Sequence, residues 1–210
     1  MKFFNKFDKV FLVNLKRRTD RLENFTNQVN NFDLGEFEVF PAYDGKELNM
    51  SEYNTFLSPG QLGLVLSNLD IINEAIKNNY EKIIIIEDDC VFENDIVNFD
   101  KYFEQLPKNW DMFYMGGNHN THVGSKPPVM VSDNMLKLHN TYSTHFVAIR
   151  NTTFEHIKIL LSKLNRPLDV SYVMLQKIFN VYCFHPILAK QLVDFSDIEN
   201  SVTDYNWLIK

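Results

Sequence analysis

Four consecutive isoleucines, Ile83 to Ile86, run directly into three acids, Glu87-Asp88-Asp89, and then into Cys90-Val91-Phe92. An unbroken β-branched run bounded by charge is the pattern of a strand buried on both faces of a mostly parallel sheet. Such a sheet needs helices on both sides, so the chain is constrained to an α/β architecture. The acids then fall at the C-terminal edge of the strand, the edge at which open α/β sheets bind ligands. Clustered carboxylates there suit a hard divalent cation, and through it a phosphorylated substrate.

The rest of the chain alternates in the same sense. Lys9 to Leu15 reads as a first strand, and 17 to 29 as a helix with Leu22, Phe25 and Val29 on one face. Residues 37 to 41 read as a second strand, ending in a turn at Asp44-Gly45. Ser58-Pro59 opens a long helix, Ser as N-cap and Pro at the first helical position, with a stripe of Leu62, Val65, Leu66, Leu69, Ile72 and Ile76. After the acidic strand the pattern predicts a helix over 95–106, a strand over 110–115 and a turn at Gly116-Gly117. The polar segment 118–128, with His119, His122, Gly124 and a Pro pair, reads as a mobile loop, a candidate lid. Short strands over 135–139 and 144–149, helices over 152–164 and 168–179, and a strand over 181–184 complete the pattern. There is no repeat, linker or low-complexity block, so the expectation is a single domain over residues 1–210.

At 210 residues and 45% hydrophobic content, the chain can bury one full core. Its net charge of -6, with acids and bases interspersed, argues against a nucleic-acid backbone or an anionic membrane as partner. Cys90 and Cys183 sit in or just after apolar strand-like runs and read as buried free thiols, which fits a reducing compartment. The first residues carry charges every few positions and no apolar stretch, so neither a signal peptide nor a membrane span is expected, and a cytoplasmic location is.

Two clusters carry candidate chemistry. Side chains alternate along a strand, so Glu87 and Asp89 can point to one side and share a cation. The segment Asn14-Leu15-Lys16-Arg17-Arg18-Thr19-Asp20-Arg21 puts three arginines and a lysine at a strand-to-helix junction. Forked guanidinium donors and the positive end of a helix suit a diphosphate, although the same charges can pair with Asp20 and Glu23.

Seven segments, in order, resemble glycosyltransferase family 25: VFLVNLKRRTDRLENF at 10–25, AYDGKEL at 42–48, SPGQLGLVLSNLDIINEAI at 58–76, YEKIIIIEDDCVF at 80–92, WDMFYMGGN at 110–118, RPLDVSYV at 166–173 and HPILAKQLVDFSDIE at 185–199. That family includes bacterial lipooligosaccharide β-galactosyltransferases and the collagen β-galactosyltransferases of animals and large DNA viruses. The resemblance implies a GT-A-type α/β fold with a mixed, mostly parallel central sheet flanked by helices. It also implies a UDP-sugar donor, Mn²⁺ or Mg²⁺, and transfer with inversion to a glycan or hydroxylysine-type hydroxyl.

Carried over by position, the resemblance makes Glu87-Asp88-Asp89 a variant of the family's Asp-x-Asp motif. Asp89 becomes a direct metal ligand, Glu87 faces the ribose or the metal, and Asp88 is a donor contact. Beside these, His185 is a candidate further metal ligand and Gln191 a candidate donor contact, either able to close over the donor or complete the metal shell. A structural role before Pro186 is the alternative for His185. The stretch from Asn14 and Leu15 to Arg21 becomes the nucleotide loop, with Arg17 and Arg21 by the uridine and phosphates and Asp44 at the base or ribose. Ser196 and Asp197 lie in a segment able to close over the donor. Asp169, which opens a late helix, is the candidate base that takes the acceptor's proton, with helix N-capping as its structural alternative. Leu64 and Asn68 stand where relatives often carry Cys and His, and Asn68 has no proton to exchange at neutral pH.

Two other readings compete. A relative that has lost catalysis would bind a sugar nucleotide or glycan only. A phospho-acceptor receiver domain also opens with a strand and acids, but Asp133 lacks the required strand-end context and Lys190 precedes Gln191 rather than Pro.

Overall fold

The computed structural model describes residues 2–120, 125–198 and 201–204. Along the chain its elements are β1 (Lys9–Asn14), α1 (Thr19–Asn31), β2 (Glu38–Pro41), α2 (Pro59–Lys77), β3 (Lys82–Glu87), β4 (Cys90–Phe92), α3 (Phe99–Phe103), β5 (Met112–Tyr114), β6 (Asn118–His119), β7 (Val129–Ser132), β8 (Met135–Lys137), β9 (Thr141–Tyr142), β10 (Phe146–Arg150), α4 (Asn151–Leu161), α5 (Leu168–Leu175), β11 (Val181–Phe184), β12 (Ala189–Gln191), β13 (Asp194–Ser196) and β14 (Ser201–Thr203). Eight strands form the central sheet in the order β2-β1-β3-β10-β5-β11-β8-β7. Six of these point one way, and β10 and β8 run against them, giving the mixed, mostly parallel sheet expected.

The isoleucine run behaves as its pattern demands. Ile84 and Ile86 join the core on one face of the sheet, with Phe25, Phe92, Phe113 and Phe146. Ile83 and Ile85 join the core on the other face, with Leu62, Val65, Ile72 and Phe154. Each such side chain taken from water contributes roughly 1.5–3 kcal/mol, so this one strand ties both layers together. Cys90 and Cys183 are buried and free.

Local signals set the element starts. Ser58 caps α2 through its side chain, which accepts from the Gln61 N–H, while Gln61 reaches back to the Ser58 N–H in a full capping box. In the α2 stripe Leu62, Val65 and Ile72 are buried, whereas Leu66, Leu69 and Ile76 pack half-buried against the same core. The helix expected over 95–106 is shorter: a 3-10 stretch, Asn94–Asn98, leads into α3. The loop expected over 118–128 begins instead as a strand, because β6 pairs with β9. His122, Gly124 and Glu199 lie outside the described residues, as does the core of the candidate lid. Among the described residues, no helix is long and apolar enough to cross a membrane.

Gly63 fixes how α2 meets the segment after β2. A Cβ there would lie 2.4 Å from the Tyr43 carbonyl oxygen, and one turn on, Ser67 Oγ accepts from the Tyr43 N–H at 3.0 Å. Overpacking of this kind costs about 1–3 kcal/mol. Gly63→Ala should therefore lower Tm by at least ~2 °C in a thermal melt, and an unchanged Tm would show that this contact does not hold the 43–45 turn.

Candidate active site

The parallel register of the first three strands brings the predicted segments to one sheet edge. Asn14 at the end of β1 is opposite Pro41 at the end of β2, and Val13 is opposite Glu87 at the end of β3. The arginine loop, the Asp44 turn and the acid turn therefore leave the sheet side by side. They surround a cavity of about 280 Å³ whose lining includes Leu15, Arg17, Asp44, Glu87, Asp88 and Asp89. The N-terminal end of α2 and the 196–198 segment complete the wall. A second cavity of about 240 Å³ lies behind the acid turn and shares Arg21, Asp88 and Asp89 with the first.

The three acids have different partners. Asp88 is neutralised: Asn14 Nδ2 donates to it at 2.7 Å and Arg21 Nη1 at 2.8 Å. Glu87 accepts only a hydroxyl, from Thr144 Oγ1 at 2.6 Å, while its backbone N–H goes to the His145 carbonyl. Burial, the Asp89 charge and, more weakly, Asp88 and Asp169 push the Glu87 carboxyl up to about 8. Asp89 is raised to about 6 by burial and by Asp88, against the opposing pull of Arg21 and of a hydrogen bond from Gln191. Among the described residues, its Oδ1 is buried with no hydrogen-bond partner. Two carboxyls held near each other, one with an unused buried oxygen, are what a divalent cation stabilises.

These carboxyls fit a metal, though not as a closed cage. Among the described residues, no group of three or more His, Cys, Asp and Glu side chains is arranged to hold one. Any cation at Glu87 and Asp89 would draw its other ligands from substrate oxygens and water. His185, expected as a third protein ligand, is not brought to them. It sits exposed just after β11, three strands from β3, roughly 14 Å at ordinary strand spacing. Its backbone N–H bonds the Asn134 carbonyl, and it acts on the His119 imidazole while standing apart from the groups that shift Glu87 and Asp89. Gln191 does return to the site, because β12 pairs with β4 and sets Gln191 opposite Cys90, from where its side chain bonds Asp89.

The arginines are committed to carboxylates. Arg17 pairs with Asp44 at 2.6 Å and Asp197 at 2.9 Å. Arg18 pairs with Asp194 at 2.7 Å, Asp20 at 2.9 Å and Asp197 at 3.0 Å. Arg21 pairs with Asp88 at 2.8 Å and reaches Asp194 at 3.4 Å. Arg21 also lies 3.8 Å from Asp89, so the three guanidiniums face six aspartates, and the forks expected to meet a diphosphate are engaged within the protein. Asp169 opens α5, accepts the Val170 N–H at 2.7 Å, and lies near enough to raise the Glu87 carboxyl. Leu64 lines the cavity, while Asn68 is buried and donates to the Leu64 carbonyl at 3.0 Å.

Thr144 was not legible as a site residue. It reaches Glu87 because β10 pairs antiparallel beside β3, a pairing that no local signal in the 142–149 segment announces. The neighbouring His145 is buried, its imidazole pushed down to about 4, so it is neutral at physiological pH. Asp194 was likewise unmarked; only its spacing from Asp197 hinted at a second carboxylate on one strap.

The class to which this arrangement belongs is settled by comparison. A family model described as "Glycosyltransferase family 25 (LPS biosynthesis protein)" matches residues 7–178. The chain belongs to glycosyltransferase family 25. It is 30% identical over 130 residues to mouse procollagen galactosyltransferase 2, covering 52% of this chain and 21% of that protein. A Drosophila melanogaster glycosyltransferase 25 family member is 25% identical over 190 residues, 77% of this chain and 28% of that protein. The human inactive glycosyltransferase 25 family member 3 is 28% identical over 133 residues, 52% of this chain and 22% of that protein. The chain thus spans about a quarter of the length of these relatives. Among solved structures, a glycosyltransferase involved in glycosylation of the major capsid of PBCV-1 aligns with a TM-score of 0.44 at 12% identity, over 73% of this chain and 64% of that one.

A carboxyl whose pKa is raised by folding stabilises the folded state at low pH, and that contribution is lost as pH rises through the folded value. For Glu87 the window runs from its ordinary value of 4.5 to about 8. Glu87→Gln keeps an acceptor for Thr144 and removes the charge. It should raise the metal-free Tm at pH 8 by ~2 °C or more and leave it unchanged near pH 4.5. Equal effects at both pH values in paired thermal melts would contradict the assignment.

Proposed function

We propose that the protein is an inverting, metal-dependent hexosyltransferase that moves galactose or glucose from a UDP-sugar to a hydroxyl of a glycan or hydroxylysine-type acceptor. The observation that carries this reading is the Glu87-Asp88-Asp89 turn, half-buried at the rim of the sheet with an unsatisfied Asp89 oxygen and a cavity beside it. Membership of family 25 supports glycosyl transfer as the reaction class.

Charge balance supports the need for a cation. Arg17, Arg18 and Arg21 face Asp20, Asp44, Asp88, Asp89, Asp194 and Asp197. The cavity lining sets Arg17, Arg21 and Lys46 against Asp44, Glu87, Asp88, Asp89 and Asp197, an excess of acids that disfavours a bare diphosphate. Glu87 and Asp89 would hold the ion, and when bound it would act as a Lewis acid toward the leaving diphosphate. The other parts of the reaction fall to the chain itself. Thr144 orients Glu87, and Asn14 with Arg21 fixes Asp88 so that the turn keeps its shape. Leu15, Ala42 and Leu64, with Val13, Pro59 and Ile198, supply the apolar part of the cavity lining for a nucleotide base. Asp169 takes the acceptor hydroxyl's proton during a single in-line displacement, which is the inverting course.

The inactive relative names the main alternative, a module that binds the donor without turning it over. One experiment separates the two: UDP release from a panel of UDP-sugars, with Mn²⁺ and with chelator, for the wild type and Asp169→Asn. The proposal expects release only with metal, and a fall of ~10²-fold or more in kcat for Asp169→Asn with an unchanged Tm. Donor binding without metal-dependent release would favour the inactive module, and full activity in Asp169→Asn would remove it as the base.

A further inference from the structure

The segment Asp194–Ile198 forms the outer wall of the cavity, contributing Ser196, Asp197 and Ile198 to its lining. Little in its own composition holds it there. β13 pairs only with β14 in a separate two-stranded hairpin, and Phe195 and Val202 are exposed. Three arginines fasten it: Arg17 donates to Asp197 at 2.9 Å, Arg21 to the Phe195 carbonyl at 2.8 Å and to Asp194 at 3.4 Å, and Arg18 is the one of the three that pairs with both Asp194 and Asp197. The Arg18 guanidinium donates to Asp194 at 2.7 Å and to Asp197 at 3.0 Å, and reaches the Phe195 carbonyl at 3.5 Å. The fastened segment also packs closely on the first turn of α2: a Cβ on Gly60 would lie 2.9 Å from Ile198 Cα and 3.1 Å from the Asp197 carbonyl oxygen.

Arg18 differs from its neighbours in one respect. Arg17 and Arg21 line the cavity themselves, whereas Arg18 is not among its lining residues. Its backbone is tied to the acid turn as well: Asn14 Nδ2 donates to the Arg18 carbonyl at 3.1 Å and to Asp88 at 2.7 Å. Arg18 therefore links the wall, through Asn14, to the carboxylates on the other side of the same space, as Arg21 does directly by bonding Asp88 and the Phe195 carbonyl. A guanidinium is needed for this, because its planar fork serves several carboxylates at once while an ammonium is a single point charge.

We propose that Arg18 is a positioning residue, which rivets the 194–198 segment across the cavity and through it sets how tightly the nucleotide part of the donor is retained. This rests on the UDP-sugar reading above. Ground-state retention and the chemical step are separable here, since the wall touches the cavity while the Arg18 side chain bonds Asp20, Asp194, Asp197 and the Phe195 carbonyl rather than Glu87 or Asp169. Loosening the wall removes binding that is uniform between ground and transition states, which raises KM and spares kcat.

The test compares wild type, Arg18→Ala and Arg18→Lys by hydrogen exchange over residues 194–198, by calorimetric binding of UDP with Mn²⁺, and by donor KM and kcat. For Arg18→Ala, exchange in the segment should quicken about tenfold or more. UDP Kd and donor KM should both rise by about tenfold, with kcat within ~2–3-fold of wild type. Arg18→Lys should fall between the two, and it carries the test if the alanine variant does not fold. Unchanged exchange would show that Arg18 does not fasten the wall. Faster exchange with unchanged Kd and KM would show a fastening with no role in retention, and either result overturns the inference alone. A wild type that binds no UDP with Mn²⁺ would instead overturn the donor reading, and this inference with it.

Discussion

The structure depends on the burial of β3 from both sides. A strand whose side chains alternate between two aromatic-rich cores has no solvent face on which to put a charge. Its first polar residues must therefore appear where the strand leaves the sheet. That places Glu87, Asp88 and Asp89 at the rim, beside the ends of β1 and β2 with which β3 is in parallel register through β1. The same constraint crowds the acids: Glu87 and Asp89 are half-buried and close together, both carboxyls are raised, and among the described residues Asp89 Oδ1 has no hydrogen-bond partner, a state that the proposed cation would relieve. Stability and function pull in opposite directions at this turn, as is common at sites built for ligand rather than for packing.

The arginine-rich junction is the other half of the electrostatic account. A basic cluster read alone invites a phosphate, but the fold surrounds it with Asp44, Asp88, Asp194 and Asp197 from three separate parts of the chain. These pairs do structural work, joining the β1–α1 loop to the Asp44 turn, the acid turn and the 194–198 segment. They also leave the cavity lining with more carboxylates than cations, the condition under which the proposed diphosphate would need a cation beside it.

Much of this was legible from the residues, and the limits were physical. Local patterns gave the strands at 9–14 and 82–87 and the capped start of α2, because burial periodicity and capping are written in adjacent residues. The acid turn, the arginine loop and Asp44 were legible as candidates, and the parallel register then gathered them. Long-range pairings were not legible. Thr144 reaches Glu87 through an antiparallel neighbour, the arginines find aspartates about 180 positions away, and His185 stops three strands short of the acids it was expected to join. Gln191 was expected near the donor and arrives at Asp89 because β12 folds back onto β4.

The central claim is that the rim carboxylates bind a divalent cation together with a nucleoside diphosphate. Its most direct measure is Mn²⁺ binding by electron paramagnetic resonance at pH 7.5, with and without UDP, in the wild type and in Asp89→Asn. The account predicts one Mn²⁺ per chain, bound more tightly by about tenfold or more when UDP is present, and lost in Asp89→Asn. Wild-type Mn²⁺ binding that is absent with UDP, or that survives unchanged in Asp89→Asn, would contradict it.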